Sequence, residues 1–167
     1  MTSGDGSTKS AGVPSYAAAL QAAYGAPSAA GMGSAVFFER LATGADLEKA
    51  AVAKYRQFVG ASWERFGEKA WMGPWKQVHA RPSGARPDVV AELRALPDAQ
   101  ARSSAGMLLE VVENAEKARA ALAGAFDDPA VAELRVFNLG DGEAMSGLLV
   151  AGRRASGDAT FLVFLMD

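Results

Sequence analysis

Apolar side chains recur along the chain first with the period of a helix and, in the last third, with that of a strand. Tyr16, Leu20 and Tyr24 stand at i, i+4 and i+8 in a run of alanines closed by Gly25 and Pro27. That spacing predicts one apolar stripe on a helix of about two to three turns. A helix so short is marginal alone in water, so it must fold against its own domain or a partner chain. The rest of residues 1–33 is Ala/Gly/Ser-rich and reads as a largely flexible N-terminal arm, leaving 34–167 as one domain.

Ser34 to Leu41 carries Phe37, Phe38 and Leu41, and is too brief to separate a helical turn from a short strand. From Thr43, with Asp46 three residues on, the pattern predicts one long helix to about Trp71. Its buried stripe is Leu47, Ala51, Tyr55, Phe58, Ser62 and Phe66, opposite Glu48, Lys49, Arg56, Glu64, Arg65 and Glu68. Pro74, Pro82, Ser83, Gly84 and Pro87 predict a loop, since proline removes a donor and disfavours helix in the residue before it. A shorter helix follows from Pro87 to Leu96. Asp98 then caps a second long one to about Ala125, with Ala101, Ala105, Leu108, Val112, Leu122 and Phe126 along its inner side.

After Asp127, Asp128 and Pro129 the period falls to two. Leu134 and Val136 alternate with Glu133 and Arg135, and further strands are predicted at 146–153 and 159–166. The short links Gly140–Asp141–Gly142 and Ser156–Gly157–Asp158 make these strands antiparallel neighbours in a three-stranded meander. In the last one, Phe161, Val163 and Leu165 alternate with Leu162, Phe164 and Met166, so both faces are apolar. Such a strand is internal and covered on both sides, or it is an association surface. The expected fold class is α+β, with amphipathic helices packed on the C-terminal meander.

Composition narrows the chemistry. Half of the residues count as hydrophobic, but 36 of the 167 are alanine, so the larger apolar side chains suffice for about one core. Isoleucine is absent while Ala, Gly and Arg abound, a usage that fits a GC-rich genome. The 17 Lys+Arg against 19 Asp+Glu leave a net charge of −2, which gives no global attraction for nucleic acid. Nothing near the N-terminus resembles a secretory signal, and no apolar run approaches the roughly 20 residues of a membrane-spanning helix, so a cytoplasmic location is expected. With no cysteine and a single histidine, thiol catalysis, thiolate metal sites and iron–sulfur clusters are excluded.

Motifs that would carry chemistry are mostly wanting. There is no G-x-S-x-G, no S-x-x-K and no Gly-Lys step of a phosphate-binding loop. Gly140, Gly142 and Gly147 fail the dinucleotide spacing, and Asn138, Asp141 and Glu143 are a thin set for a hard cation beside the simpler reading as a hairpin turn. Glu110, Glu113 and Glu116 lack the E-x-x-H partners of a di-iron bundle and read as a solvated helix face. No cofactor and no metal are expected.

The remaining candidate is Lys69 to Pro87, where Trp71, Trp75, Lys76, His79, Arg81 and Arg86 interleave rings and cations with no carboxylate before Asp88. Such a run suits a small anionic ligand or an acidic partner segment, or it simply plugs a loop onto the core. The expected function is a non-catalytic protein-binding or assembly module. It would act through that run, the doubly apolar last strand and the Tyr16–Leu20–Tyr24 helix, toward a protein partner or a second copy. The alternative is a small-ligand domain or modest enzyme with its pocket at Trp71, Trp75, His79 and Arg81.

Overall fold

The computed structural model of the chain describes residues 13–110 and 113–167. Its elements are α1 (Ser15–Tyr24), β1 (Gly33–Arg40), α2 (Leu47–Val59), α3 (Ala61–Phe66), α4 (Glu68–Met72), β2 (Lys76–Ala80), α5 (Val89–Arg94), α6 (Ala99–Glu110), α7 (Ala115–Phe126), β3 (Val131–Asn138), β4 (Ser146–Arg154) and β5 (Asp158–Met166). The strands form one antiparallel sheet in the order β1-β5-β4-β3-β2. The α+β class is therefore as expected and the meander β3-β4-β5 is present, but the sheet has five strands rather than three.

Both extra strands lie at sheet edges, where the alternating pattern is weakest. Lys76–Ala80 is mostly exposed and carries a bulge between Gln77 and His79 where it pairs with β3, so its polar sequence and flanking prolines resemble a loop. Gly33–Arg40 resolves as a strand because its alternate residues serve opposite faces, Val36 one and Ala35 and Phe37 the other.

β5 lies between β1 and β4, and the helices cover both sides of it. On one face Leu162 and Phe164 pack with Leu148, Val150, Leu134 and Val136 under α1, α5, α6 and α7. On the other Phe161, Val163 and Leu165 pack with Leu149, Ala151 and Phe137 under α2 and α3. The two cores are separated only by the sheet, a helix–sheet–helix sandwich. The doubly apolar last strand is thus internal, and it offers no association surface.

The predicted long helix from Thr43 to Trp71 is three helices. Asp46, not Thr43, caps the first, its carboxylate accepting from the backbone N–H groups of Glu48 and Lys49. Gly60 and Gly67 then sit at positive φ, 70° and 88°, and each redirects the chain. The second predicted helix is likewise two. Asp98 caps α6 at the Ala101 N–H as expected, and Asn114 caps α7 at the Lys117 N–H. Val112 of the predicted stripe lies outside the described residues, as does 1–12 of the N-terminal arm. The predicted 87–96 helix is trimmed to Val89–Arg94.

The remainder of the Ala-rich segment, residues 13–33, is laid against the domain. α1 buries Leu20 fully and Tyr24 to 4% exposure against α7 and β1, with Tyr16 partly covered. The Tyr24 hydroxyl donates to the Leu108 carbonyl, and burial pushes its pKa up to about 12. This helix also meets the sheet edge: Val36 N–H donates to the Gly25 carbonyl and Gln21 Nε2 donates to the Val36 carbonyl, so the outer edge of β1 is occupied at Val36. No helix among the described residues is long and apolar enough to cross a membrane.

If α1 is an integral part of the core, Leu20→Ala leaves a cavity and lowers the unfolding free energy by about 2–5 kcal/mol in urea denaturation. A loss of under about 1 kcal/mol would mean that the helix merely rests on the surface.

Candidate functional site

The run from Lys69 to Pro87 crosses the sheet edge, and this divides the residues that sequence proximity had grouped. Trp71 and Trp75 lie on the α2 side. Tyr55 of α2 is the hub there, its ring 5.3 Å from Trp63, 6.4 Å from Trp71 and 5.7 Å from Trp75. Trp75 in turn stacks on Phe137 of β3 at 4.7 Å, while Trp71 stacks on Trp63 at 6.3 Å and meets Phe66 edge-on. The polar handles of Tyr55, Trp71 and Trp75 are engaged. Trp71 Nε1 donates to the Ser62 carbonyl, Trp75 Nε1 to Glu48 Oε2 and the Tyr55 hydroxyl to the Trp71 carbonyl. Burial pushes the Tyr55 hydroxyl pKa up, so it stays a neutral donor.

His79 and Arg81 face the opposite layer. Glu92 of α5 meets His79 Nε2 at 2.7 Å, takes Arg81 Nε and Nη2, and accepts the Asp88 backbone N–H. Arg81 also donates to the Phe126 carbonyl and to Asp127, whose carboxylate accepts the Val89 N–H as well. This knot joins β2, α5 and the end of α7, and the Arg81 side chain is only 8% exposed. A nucleophilic mechanism would further need a hydroxyl within reach of the imidazole, and no hydrogen bond joins one to His79 among the described residues. Lys76 pairs with Asp98 at 2.6 Å, and Arg86 stands exposed in the loop beyond β2. The cations that suited an anionic ligand are therefore scattered, and two of them, Lys76 and Arg81, face carboxylates.

What the α2 side does possess is a cleft of about 310 Å³ over the end of the sheet. Phe66, Ala70, Trp71 and Tyr55 form one wall; Pro74, Leu139, Met145 and Leu165 form the floor and far wall, and the turn at Gly140–Asp141 forms the rim. Asn138, buried at the end of β3, fixes the two sides relative to each other by donating to the carbonyls of Pro74 and Gly140. The turn is tight: Gly142 N–H donates to the Met145 carbonyl, and a Cβ at Gly140 would collide with that same carbonyl. Asp141 Oδ1 accepts the N–H groups of Glu143, Ala144 and Met145. Those donors, Glu143 foremost, hold its carboxyl below the usual range. Asn138, Asp141 and Glu143 thus build a turn, and among the described residues no cluster of His, Asp and Glu has the makings of a metal site.

Phe66 is 62% exposed, the more exposed of the two large hydrophobic residues that stand out in solvent among the described residues, the other being Met32. Sequence reasoning placed it in the buried stripe, because an uninterrupted helix would carry it under the same face as Leu47 and Tyr55. The break at Gly60 turns it outward. Gly60 and Gly67, seven residues apart inside a helical pattern, were the available signal.

The chain matches no family model, no curated protein and no solved structure.

The Glu92 knot generates a pH prediction. Burial pushes the Glu92 carboxyl up, but the hydrogen bonds from Arg81, His79 and the Asp88 backbone outweigh it and hold its pKa below the ordinary 4.5. A depressed folded-state pKa contributes stability that is present above the unfolded value and is lost as pH falls through the folded one. Asp127 works in the opposite sense, since burial raises its pKa despite the Val89 N–H and Arg81. Glu92→Gln should cost about 1.5–3 kcal/mol at pH 7 by leaving Arg81 short of a charged acceptor. The gap from wild type in denaturant titrations should narrow as pH drops below 4.5. A gap independent of pH would mean that the carboxylate charge contributes nothing.

Proposed function

We propose that this chain is a non-catalytic binding domain whose ligand site is the cleft between Phe66, Trp71 and Met145, taking a small apolar or aromatic group. The observation that carries the reading is the exposure of Phe66 at a concave, mostly apolar cleft. A phenyl ring left in water at such a place forgoes the burial that the same chain achieves for Phe58, Phe126 and Phe161. Small-ligand sites are typically apolar concavities of about 300–1,000 Å³ with few polar groups, and this one lies at the lower end of that range.

Two features support a passive role over catalysis. The residues lining the cleft include no histidine, lysine, serine or threonine, and their one phenol, Tyr55, is committed to the Trp71 carbonyl. The imidazole that would serve as a base is on the far side of the sheet, bound to a carboxylate that already serves Arg81. Binding therefore falls to the α2 layer and structural pinning to the α5 layer. Trp71 belongs to both the expected site and this one; Trp75 lies behind it as support, and His79 and Arg81 do neither.

Titration with benzyl alcohol followed by ¹H–¹⁵N spectra tests this. Shifts are expected at the Trp71 indole N–H and at the amides of Gly140, Ala144 and Met145. Phe66→Ala should weaken binding by about tenfold without loss of fold, since burying a large side chain is worth about 1.5–3 kcal/mol. His79→Ala should leave binding unchanged. Shifts centred on His79 and Glu92, or binding abolished by His79→Ala, would contradict the assignment.

A further inference from the structure

We propose that the occupant of this cleft is a small organic cation, its alkylated ammonium head held against the rings of Phe66 and Trp71 beneath Asp141. The inference rests on the binding reading above and specifies the charge of the ligand. Of the residues that line the cleft, only Asp141 is charged, so the site offers one negative group and no compensating lysine, arginine or histidine. Three backbone donors of the turn converge on Oδ1, and Oδ2 accepts no hydrogen bond among the described residues. One carboxylate oxygen is thus fixed by the fold while the other is free to face a cation.

The walls complement this. Phe66 and Tyr55 each meet Trp71 close to perpendicular, with interplanar angles of 71° and 85° and centroids 6.3 and 6.4 Å apart. Tyr55, 1% exposed and stacked on Trp75, backs this wall, while Phe66 and Trp71 border the cleft, and the face of such a ring is the negative side of its quadrupole. An alkylated ammonium head suits such a wall, since its methyl groups make the apolar contacts that a bare ammonium, strongly hydrated, forgoes. Arg65 lies 5.5 Å from the Phe66 centroid and is not itself part of the lining. A carboxylate ligand would instead meet Asp141 with no cation to offset it.

The test compares three probes of matched shape: choline, its neutral isostere 3,3-dimethylbutanol and the anion 3,3-dimethylbutyrate. All three tryptophans of the chain lie in this aromatic cluster, so their fluorescence reports the site, and amide and indole shifts locate each probe. Choline should bind about tenfold tighter than the alcohol, with the anion weakest. Asp141→Asn keeps an oxygen for the turn N–H groups and removes the charge, and should weaken choline about fivefold at low salt while leaving the alcohol unaffected. Choline and alcohol binding equally well at the cleft would overturn the cation assignment and leave the binding site standing. Choline binding unchanged by both Asp141→Asn and Phe66→Ala would also overturn it. If no probe, nor benzyl alcohol, perturbs the cleft, both this inference and the function above fall together.

Discussion

The fold depends on a constraint set by nine residues: β5 is apolar on both faces and therefore has to be covered on both. Residues Ala159 to Leu165 are all nearly inaccessible apart from Phe164 at 6%. A strand of that composition is stable only at the middle of a sheet with a layer on each side, because every other placement leaves one apolar face in water. β1 and β4 flank it, the α1–α5–α6–α7 layer covers Leu162 and Phe164, and the α2–α3 layer covers Phe161, Val163 and Leu165. Alanine is what lets the layers approach. Ala101, Ala105 and Ala118 on one side and Ala51 on the other sit at full or nearly full burial between larger side chains, giving close helix–sheet contact without demanding volume.

The same two-sidedness sorts the chemistry-bearing residues. A chain crossing from one layer to the other at the β2 edge must deliver successive side chains to different faces, and Lys69–Pro87 makes that crossing. Its indoles join Tyr55 and Phe137 in one core, whereas its imidazole and guanidinium meet Glu92 over the other. The bulge at Gln77–His79 adds to this, because it directs both Val78 and His79 toward the α5–α7 layer. What remains open to solvent is the end of the sheet on the α2 side. There α3 and α4 are too short to roof the β3–β4 turn, and a cleft with aromatic walls is left between them.

Much of this was legible in the sequence wherever a residue's periodicity was intact. Spacing narrows β5 to an internal strand covered on both faces or an association surface, and the meander, the cap at Asp98 and the stripe Tyr16–Leu20–Tyr24 follow from spacing alone. Three things did not. Edge strands carry little alternation, so β2 read as a loop until its pairing with β3 was seen. Helix breaks at Gly60 and at Asn114 lie within runs whose apolar periodicity continues across the break, and periodicity is blind to a change of axis. The grouping of Trp75 with His79 and Arg81 assumed that neighbours in sequence share a surface, which fails because the bulge between Gln77 and His79 shifts the alternation by one residue and sends the later side chains to the other face. The cleft itself draws on positions 55, 66, 71 and 139–145, and only the tertiary fold brings these together.

Because both layers rest on β5, neither can leave without exposing a hydrophobic strand, and the two should open together. Native-state hydrogen exchange tests this most directly. The account predicts that the β5 amides of Leu162 to Phe164, the α2 amide of Tyr55 and the α7 amide of Leu122 exchange with one shared free energy equal to that of global unfolding. A layer that opens at distinctly lower free energy while β5 stays protected would contradict it.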